Sequence, residues 1–268
     1  MKETQTVKAL FFDIDGTLLS PRTARVPESA IKALTCAREH GLLLFAATGR
    51  HALALTRLPQ IMELKLDGLI CLNGQLCLCG GKTVFQNPIP RSEIEAFIRF
   101  MRGKDCICQF SGNDLVFCSQ DNDAVRDINA EFGIFEPPIF PPERALDMDV
   151  LQIELFFREE SALQVLAHMP SCRWTRWHAM GVDILRKDGG KWTGIKKIAE
   201  HLHLQEGEIM VFGDHDNDVD MLENATFSVA LGNGSAQAIA AAKYVTTDID
   251  EDGIYNAFRA LLPHIGLA

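Results

Sequence analysis

The chain has 268 residues, 47% of them hydrophobic and 23% charged, and reads as an ordinary globular protein with enough apolar residues for one large or two unequal domains. Its 26 basic against 36 acidic residues leave a formal charge of -10, which argues against a nucleic-acid or anionic-membrane surface, because those surfaces need clustered Lys and Arg. No segment approaches the roughly 20 apolar residues of a membrane span, and "MKETQTVKAL" lacks an apolar stretch long enough for a signal peptide, so a cytoplasmic protein is expected.

Short apolar runs that stop at turn residues recur along the chain: "VKALFF" (7–12), "LLLFAA" (42–47), "LDGLICL" (66–72), "EIMVFG" (208–213) and "FSVALG" (227–232). Runs without polar alternation suit strands covered on both faces, as in a parallel sheet. Between the first two, "VPESAIKALTCAREHG" spells a helix. Pro27 fits its first position, Ile31, Leu34 and Ala37 follow at helical spacing, and Gly41 fits its end. A right-handed βαβ unit is the default geometry of such a segment. From about 80 to 188 the texture changes to the strand-like "KTVFQ", "CICQF", "DLVFCS", "VLQIELFF", "CRWTRW" and "VDIL", joined by helical stretches at 91–102, 121–132 and 160–168. The four prolines of "FEPPIFPPERA" (135–145) rule out regular helix there. After 189 the βα alternation resumes. The fold class expected is α/β, a parallel-sheet core formed by 1–80 and 189–268 with an α+β domain inserted at 81–188. The eight cysteines, at 36, 71, 77, 79, 106, 108, 118 and 172, show no Cys-x-x-Cys spacing and are expected as buried or half-buried free thiols rather than zinc ligands.

In open parallel sheets, ligands bind outside the carboxyl ends of the strands. Three of the apolar runs end there in polar residues: "FFDIDGT", "AATGR" and "VFGDHDND". Their convergence gathers Asp13, Asp15, Thr48, Arg50, Asp214, Asn217 and Asp218 around one crevice. Four carboxylates packed together repel strongly at the low effective dielectric of a cleft. A divalent cation relieves that repulsion, and an all-oxygen donor set without His or Cys favours magnesium over zinc. Asp13 and Asp15, spaced i,i+2 on an extended chain, project to one side. One ionised carboxylate can then attack as a nucleophile while the other, holding a proton, serves the leaving group. Taken singly, an Asp-x-Asp-Gly-Thr turn serves equally as a solvated strand end, and "GDHDND" as a helix start with an Asp cap. Their joint occurrence, in order and each at a strand end, points to chemistry.

"DIDGTLL" (13–19), "ATGR" (47–50), Lys191 in "KDGGKWTGI" and "GDHDNDVDML" (213–222) resemble the four motifs of the haloacid dehalogenase superfamily, in the order and spacing of its Cof-type phosphatases. The insertion between the second and third motifs resembles the family's type-two cap, and "LNG" (72–74), "VALGNG" (229–234) and "DIDEDGIYNAF" (248–258) resemble its secondary signatures. The resemblance implies a Rossmann-like core and a Mg²⁺-dependent phosphatase acting on a small-metabolite phosphomonoester, a sugar phosphate or a phosphorylated cofactor. It implies Asp13 as the nucleophile that becomes an aspartyl-phosphate, and Asp15 as general acid and then general base. Thr48 and Lys191 would hold phosphoryl oxygens, with Asn217 near the substrate. The metal would take Asp13, the backbone carbonyl of Asp15 and Asp214, with Asp218 beside them. Phosphoryl transfer asks for this kind of positioning and charge neutralisation.

The chain departs from the family's pattern at a few positions. Trp192 stands where a glycine is usual and is expected as a surface-packed tryptophan, the other reading being a wall of the pocket. His215 is expected as an exposed residue beside its loop, and Asp250, where Asn is common, as structural. Arg50 reads as a pairing partner of an acidic neighbour or as a phosphoryl contact. Asn73 reads as a turn residue. Arg176, Trp177 and His178 offer either a leaving-group pocket or packing. The acid at position 15 favours phosphate esters over halides. Two rivals remain on sequence grounds, a phosphomannomutase-like phosphotransferase and a non-catalytic phosphate sensor, while a dinucleotide enzyme is disfavoured because no G-x-G-x-x-G follows the first strand.

Overall fold

The computed structural model describes residues 7–104, 107–120, 137–156, 160–178 and 181–267. The chain divides into two compact units, Met1–Phe85 with Gly190–Ala268, and Gln86–Gly189. In chain order the first unit runs β1 (Ala9–Phe12), α1 (Glu28–Glu39), β2 (Leu43–Ala47), α2 (Ala52–Leu55), α3 (Pro59–Glu63), β3 (Gly68–Cys71), β4 (Leu76–Cys79) and β5 (Lys82–Gln86). The second unit contributes α4 (Arg91–Met101) and strands β6 (Ile107–Ser111), β7 (Val116–Cys118), β8 (Gln152–Phe156), β9 (Cys172–His178) and β10 (Gly181–Arg186). The chain then completes the first unit with α5 (Lys191–Leu202), β11 (Ile209–Gly213), α6 (Val219–Asn224), β12 (Phe227–Ala230), α7 (Ala236–Ala241), β13 (Tyr244–Val245) and α8 (Gly253–Leu261).

The first unit is built on an eight-stranded sheet in the order β13-β12-β11-β1-β2-β3-β4-β5. β1 is central and runs parallel to both β11 and β2, with Phe12 opposite Phe212 on one side and Ala46 on the other. That register brings the residues following all three strands to one edge. Both faces of the sheet are covered, which is why the strands read as unbroken apolar runs. On one face Phe11 stacks on Phe45 at 4.7 Å within a core that includes Ile195, Ile198 and Met221. On the other, Phe12 stacks on Phe212 at 4.7 Å and both meet Phe258 of α8. Each buried aromatic of this kind contributes about 1.5–3 kcal/mol relative to exposure.

Helix α1 forms where expected, with Pro27 just before it and Gly41 in the left-handed region (φ 80°) just after. Its buried stripe is Ala30, Ala33, Leu34 and Ala37, whereas Ile31 points outward at 42% exposure. Leu34 and Ala37 of the expected Ile31-Leu34-Ala37 face are buried as expected, and Ala30 and Ala33 complete the stripe in place of Ile31. β5, grouped by texture with the inserted sheet, instead lies at the edge of the first sheet beside β4.

The second unit holds a five-stranded antiparallel sheet in the order β7-β6-β8-β10-β9. One face carries Phe110, Phe117, Ile153, Leu155, Val182 and Ile184 against Phe97 of α4 and Val165. Val165 lies on the 160–168 stretch, which is a 3₁₀ helix. "PERALD" in the proline-rich stretch is a second such helix. The expected helix at 121–132 and Cys106 lie outside the described residues. The described cysteines are free thiols, buried or half-buried. Among the described residues no helix is long and apolar enough to cross a membrane.

The opposite face of this sheet mixes polar side chains with buried apolar ones such as Ile107, Val116, Phe156 and Leu185. One rung crosses every strand: Cys118 pairs with Gln109, Gln109 with Glu154, Glu154 with Asp183, and Asp183 with Thr175. The Cys118 thiol donates to Gln109 Oε1 at 3.5 Å, and Gln109 Nε2 donates to Glu154 Oε2 at 2.5 Å. Burial pushes the Glu154 carboxyl up to about 7 from an ordinary 4.5, against the hydrogen bonds from Gln109 and Gln152. An acid whose folded value is raised holds its proton in the folded chain while the unfolded chain has already lost it, so stability falls as pH rises from about 4.5 to about 7. Glu154→Gln is therefore expected to melt higher than the wild type at pH 8 and to lose that advantage at pH 4.5, a difference read from paired thermal unfolding curves.

Candidate active site

The carboxyl ends of β1, β2 and β11 place the site. Asp13 follows β1 directly, and its N–H donates to the Phe212 carbonyl at 2.9 Å, continuing the ladder by one residue. Thr48 follows β2 in the same way, its N–H donating to Ile70 O at 2.8 Å and its carbonyl accepting the N–H of Asn73 at 3.0 Å. Asp214 follows β11. The turn after β1 needs Gly16, whose φ of 91° lies in the left-handed region and whose Cβ, were there one, would stand 2.2 Å from Asp214 Oδ2.

Lys191, the first residue of α5, is fully buried, and its ammonium lies 2.5 Å from Asp13 Oδ1 and 2.5 Å from Asp218 Oδ1. Burial alone would lower the lysine's pKa. The two carboxylates outweigh it and raise that pKa above the ordinary range, so the charge is held. Asp218 Oδ2 accepts the N–H groups of Asp214 and His215, each at 2.9 Å. Asp214 Oδ1 accepts the Thr17 hydroxyl at 2.8 Å. Burial raises Asp13 well above the carboxylate range; Lys191 opposes this, and Asp218, Asp214 and Asp15 add to it. Asp214 is pushed up to about 7, by burial first and by Asp218 next.

Carboxylate oxygens of Asp13, Asp214 and Asp218 lie within 4.8 Å of one another. The group is buried, rich in negative charge and made of hard oxygen donors, a chemistry that fits a divalent cation. Within it the oxygens divide their work. Both oxygens of Asp218 are engaged by the ammonium and the backbone, whereas the bonds found to Asp13 and Asp214 use one oxygen of each.

The carboxylate of Asp15 is not part of this cluster. Arg50 grips it in a fork, Nε to Oδ2 at 2.7 Å and Nη2 to Oδ1 at 2.8 Å, and the Asp15 side chain is 47% exposed. Four carboxylates were expected to crowd together; a guanidinium turns one of them aside. Arg50 is accordingly a pairing residue. Asn217 Nδ2 donates to Asn73 Oδ1 at 3.2 Å, with Asn73 itself at a φ of 51°, the turn conformation expected of it. Trp192 is 8% exposed and packs in the core with Ile195 and Ile198, which corrects the expectation of a surface tryptophan. His215 is exposed. Asp250 accepts from Arg22 Nε at 2.6 Å and from Ser20 Oγ at 3.0 Å, a structural pair. The side chains of Arg176, Trp177 and His178 lie outside the described residues.

Two supporting residues escape a motif reading. Thr17 holds Asp214 as described, and Asn233 ties two loops by donating to Gly16 O and accepting from the N–H of Ile249, both at 2.9 Å. The signal for each was its place inside a quoted motif, "DGT" and "GNG", with no clue to its partner.

The sheet order, the strand-end acids and the buried lysine define a hydrolase of the haloacid dehalogenase type. The chain belongs to the haloacid dehalogenase-like hydrolases, whose family model matches residues 10–258. It is an enzyme of that family's phosphoric monoester hydrolase kind. It is 28% identical over 259 residues to the putative phosphatase YkrA of Bacillus subtilis, covering 95% of this chain and 97% of that one. It is likewise 28% identical over 265 residues to the pyridoxal phosphate phosphatase YbhA of Escherichia coli, covering 93% and 96%. Among solved structures, the subclass IIB sugar phosphatase BT4131 superposes with a TM-score of 0.85 at 38% identity, covering 95% of this chain and 98% of that one.

Thr17→Val keeps the shape of the side chain and removes the hydrogen bond that orients Asp214. It is expected to weaken binding of a divalent cation about 10–100-fold, measured by calorimetric titration with Mn²⁺, with the melting temperature of the metal-free protein little changed.

Proposed function

We propose that the protein is a Mg²⁺-dependent phosphatase of small cytoplasmic phosphomonoesters, a sugar phosphate or a phosphorylated cofactor, working through an aspartyl-phosphate on Asp13. The observation that carries this reading is the Asp13 carboxylate. It sits at the end of the central strand, beside a fully buried ammonium and within 4.8 Å of two further carboxylates. The residues fit a magnesium site held by Asp13, the backbone carbonyl of Asp15 and Asp214, with Asp218 beside them. Bound there, the ion would supply positive charge to offset the three clustered acids and the substrate's phosphoryl oxygens.

Asp13 attacks phosphorus through a carboxylate oxygen, forming the acyl-phosphate bond as the ester's P–O bond breaks. Asp15 gives its proton to the departing alcohol oxygen. It then takes a proton from water, whose oxygen attacks phosphorus and releases inorganic phosphate with Asp13 restored. Lys191 and the Thr48 hydroxyl hold the transferring oxygens, and Asn217 braces the loop on the substrate side. Arg50 fixes the direction of the Asp15 carboxyl, a side chain otherwise free to swing in solvent. The sugar phosphatase and the pyridoxal phosphate phosphatase among the similar proteins support both substrate classes.

Hydrolysis of a generic aryl phosphate is expected to need Mg²⁺ and to release inorganic phosphate with water as sole acceptor; transfer to an added sugar hydroxyl in place of release would point to a mutase. Asp13→Asn should abolish turnover without loss of fold. Asp15→Asn should accumulate phosphoenzyme from substrates with good leaving groups, visible by mass spectrometry after acid quench. A panel of cellular phosphate esters ranked by kcat/KM then separates sugar phosphates from phosphorylated cofactors.

A further inference from the structure

We propose that Asp220 is a positioning residue of the reaction, holding the first turn of α5 so that the Lys191 ammonium stays between Asp13 and Asp218. This rests on the reading of Lys191 as a holder of phosphoryl oxygens. α5 begins at Lys191 with Gly190 as its N-cap; glycine offers no side-chain acceptor, and no acidic residue stands in the first turn. A helix start leaves its first N–H groups without partners inside the helix and carries partial positive charge. A fully buried lysine at the first position adds a whole charge of the same sign to that end.

Asp220 supplies from outside what the helix lacks. Standing in the first turn of α6, it accepts the N–H of Trp192 on Oδ2 at 3.0 Å. The approach is close, since a Cβ on residue 190 would stand 2.3 Å from that same oxygen. The bare backbone at Gly190 is what lets the carboxylate reach the helix end. Burial raises the Asp220 carboxyl above its ordinary range, and the N–H groups of Trp192 and Met221 oppose that shift by favouring its charged form. Its negative charge bears on Lys191 as well. Asp220 touches neither the ammonium nor any reacting atom; it acts by fixing the backbone from which Lys191 extends. It stands on α6, directly after the loop that carries Asp214 and Asp218, so its bond joins the starts of two helices.

The test compares Asp220→Ala and Asp220→Asn, with Mg²⁺ saturating and an aryl phosphate as substrate, well below the melting temperature. A misplacement of Lys191 by a fraction of a side-chain length is expected to lower kcat of Asp220→Ala about 10–100-fold. The same variant should weaken competitive inhibition by inorganic phosphate while leaving Mg²⁺ affinity unchanged. Asp220→Asn keeps an acceptor for Trp192 and should recover most of both losses. Should Asp220→Ala fail to fold, Gly190→Ala displaces the same oxygen and should show the same pair of defects. Wild-type kcat and phosphate inhibition in a folded Asp220→Ala or Gly190→Ala, with only a lowered melting temperature, would overturn the proposal, as would an Asn variant as impaired as the Ala one. Lys191→Met separates the two layers. If it remains fully active, the phosphoryl-holding role falls and the positioning role with it; if it is inactive beside an unimpaired Asp220→Ala, only the positioning role falls.

Discussion

A lysine ammonium with no solvent contact, pressed between two carboxylates, constrains the first unit more than any other interaction. Removing an ion from water costs several kcal/mol even after the protein relaxes. Lys191 meets that cost with two charge-assisted contacts of 2.5 Å. Those contacts require the start of α5, the end of β1 and the loop after β11 to converge on one point. The parallel register of β1 with β11 brings Asp13 and Asp214 side by side. Asp218 then serves two masters: one oxygen for the ammonium, the other for two backbone N–H groups that shape the loop carrying Asp214. Losing either partner would leave a buried charge uncompensated, so the acidic loop and the helix are mutually dependent.

The same economy of charge explains how the remaining acids are disposed. With Asp218 spent on the lysine and the loop, the oxygens of Asp13 and Asp214 that bear no such bond are the natural first contacts for a cation. The raised pKa values of these two side chains come first from burial and then from neighbouring carboxylates, with Lys191 opposing both and the Thr17 hydroxyl opposing the shift at Asp214. Asp15 escapes the crowd by pairing with Arg50 at a partly solvated position. In the proposed reaction a bound cation would offset the burial and repulsion at Asp13 and favour its ionised, attacking form, while the Asp15 carboxyl stands outside the cluster.

Much of this was legible in the sequence, and the reasons for success and failure are physical. β1, β2 and β11 were readable because a strand covered on both faces must be apolar throughout, and the polar residues that interrupt it mark its exposed carboxyl end. What the sequence could not convey was direction in the third dimension. Ile31 is apolar and helically spaced yet points outward, the buried stripe running through Ala30, Ala33, Leu34 and Ala37. Trp192 sits in a motif next to a catalytic candidate but turns into the core. Asp15 lies two residues from Asp13 on a chain that leaves the strand at Gly16, so alternation along an ideal strand no longer fixes where its carboxylate goes. Asn233 and Asp220 act on partners far away in the chain, which no local pattern reveals.

The two sheets also differ in where polar chemistry can reside. In the first, the central strands β1, β2 and β11 are apolar and buried, and the charged groups that follow them stand in the turns beyond the strand ends, which gathers four acids at one edge, where Lys191 meets them. In the antiparallel sheet one face is apolar and the other mixes polar with apolar side chains, so polar groups run along it from strand to strand. There Gln109, Glu154, Asp183 and Thr175 occupy one rung, in contact across the sheet rather than gathered at its end. A site of the first kind holds a small, highly charged group at a point, whereas a face of the second kind presents polar groups over the width of several strands. The sequence texture that separates "VKALFF" from "CICQF" is thus a record of two different ways of placing polar groups, and among the described residues the cluster of carboxylates stands at the strand ends of the first.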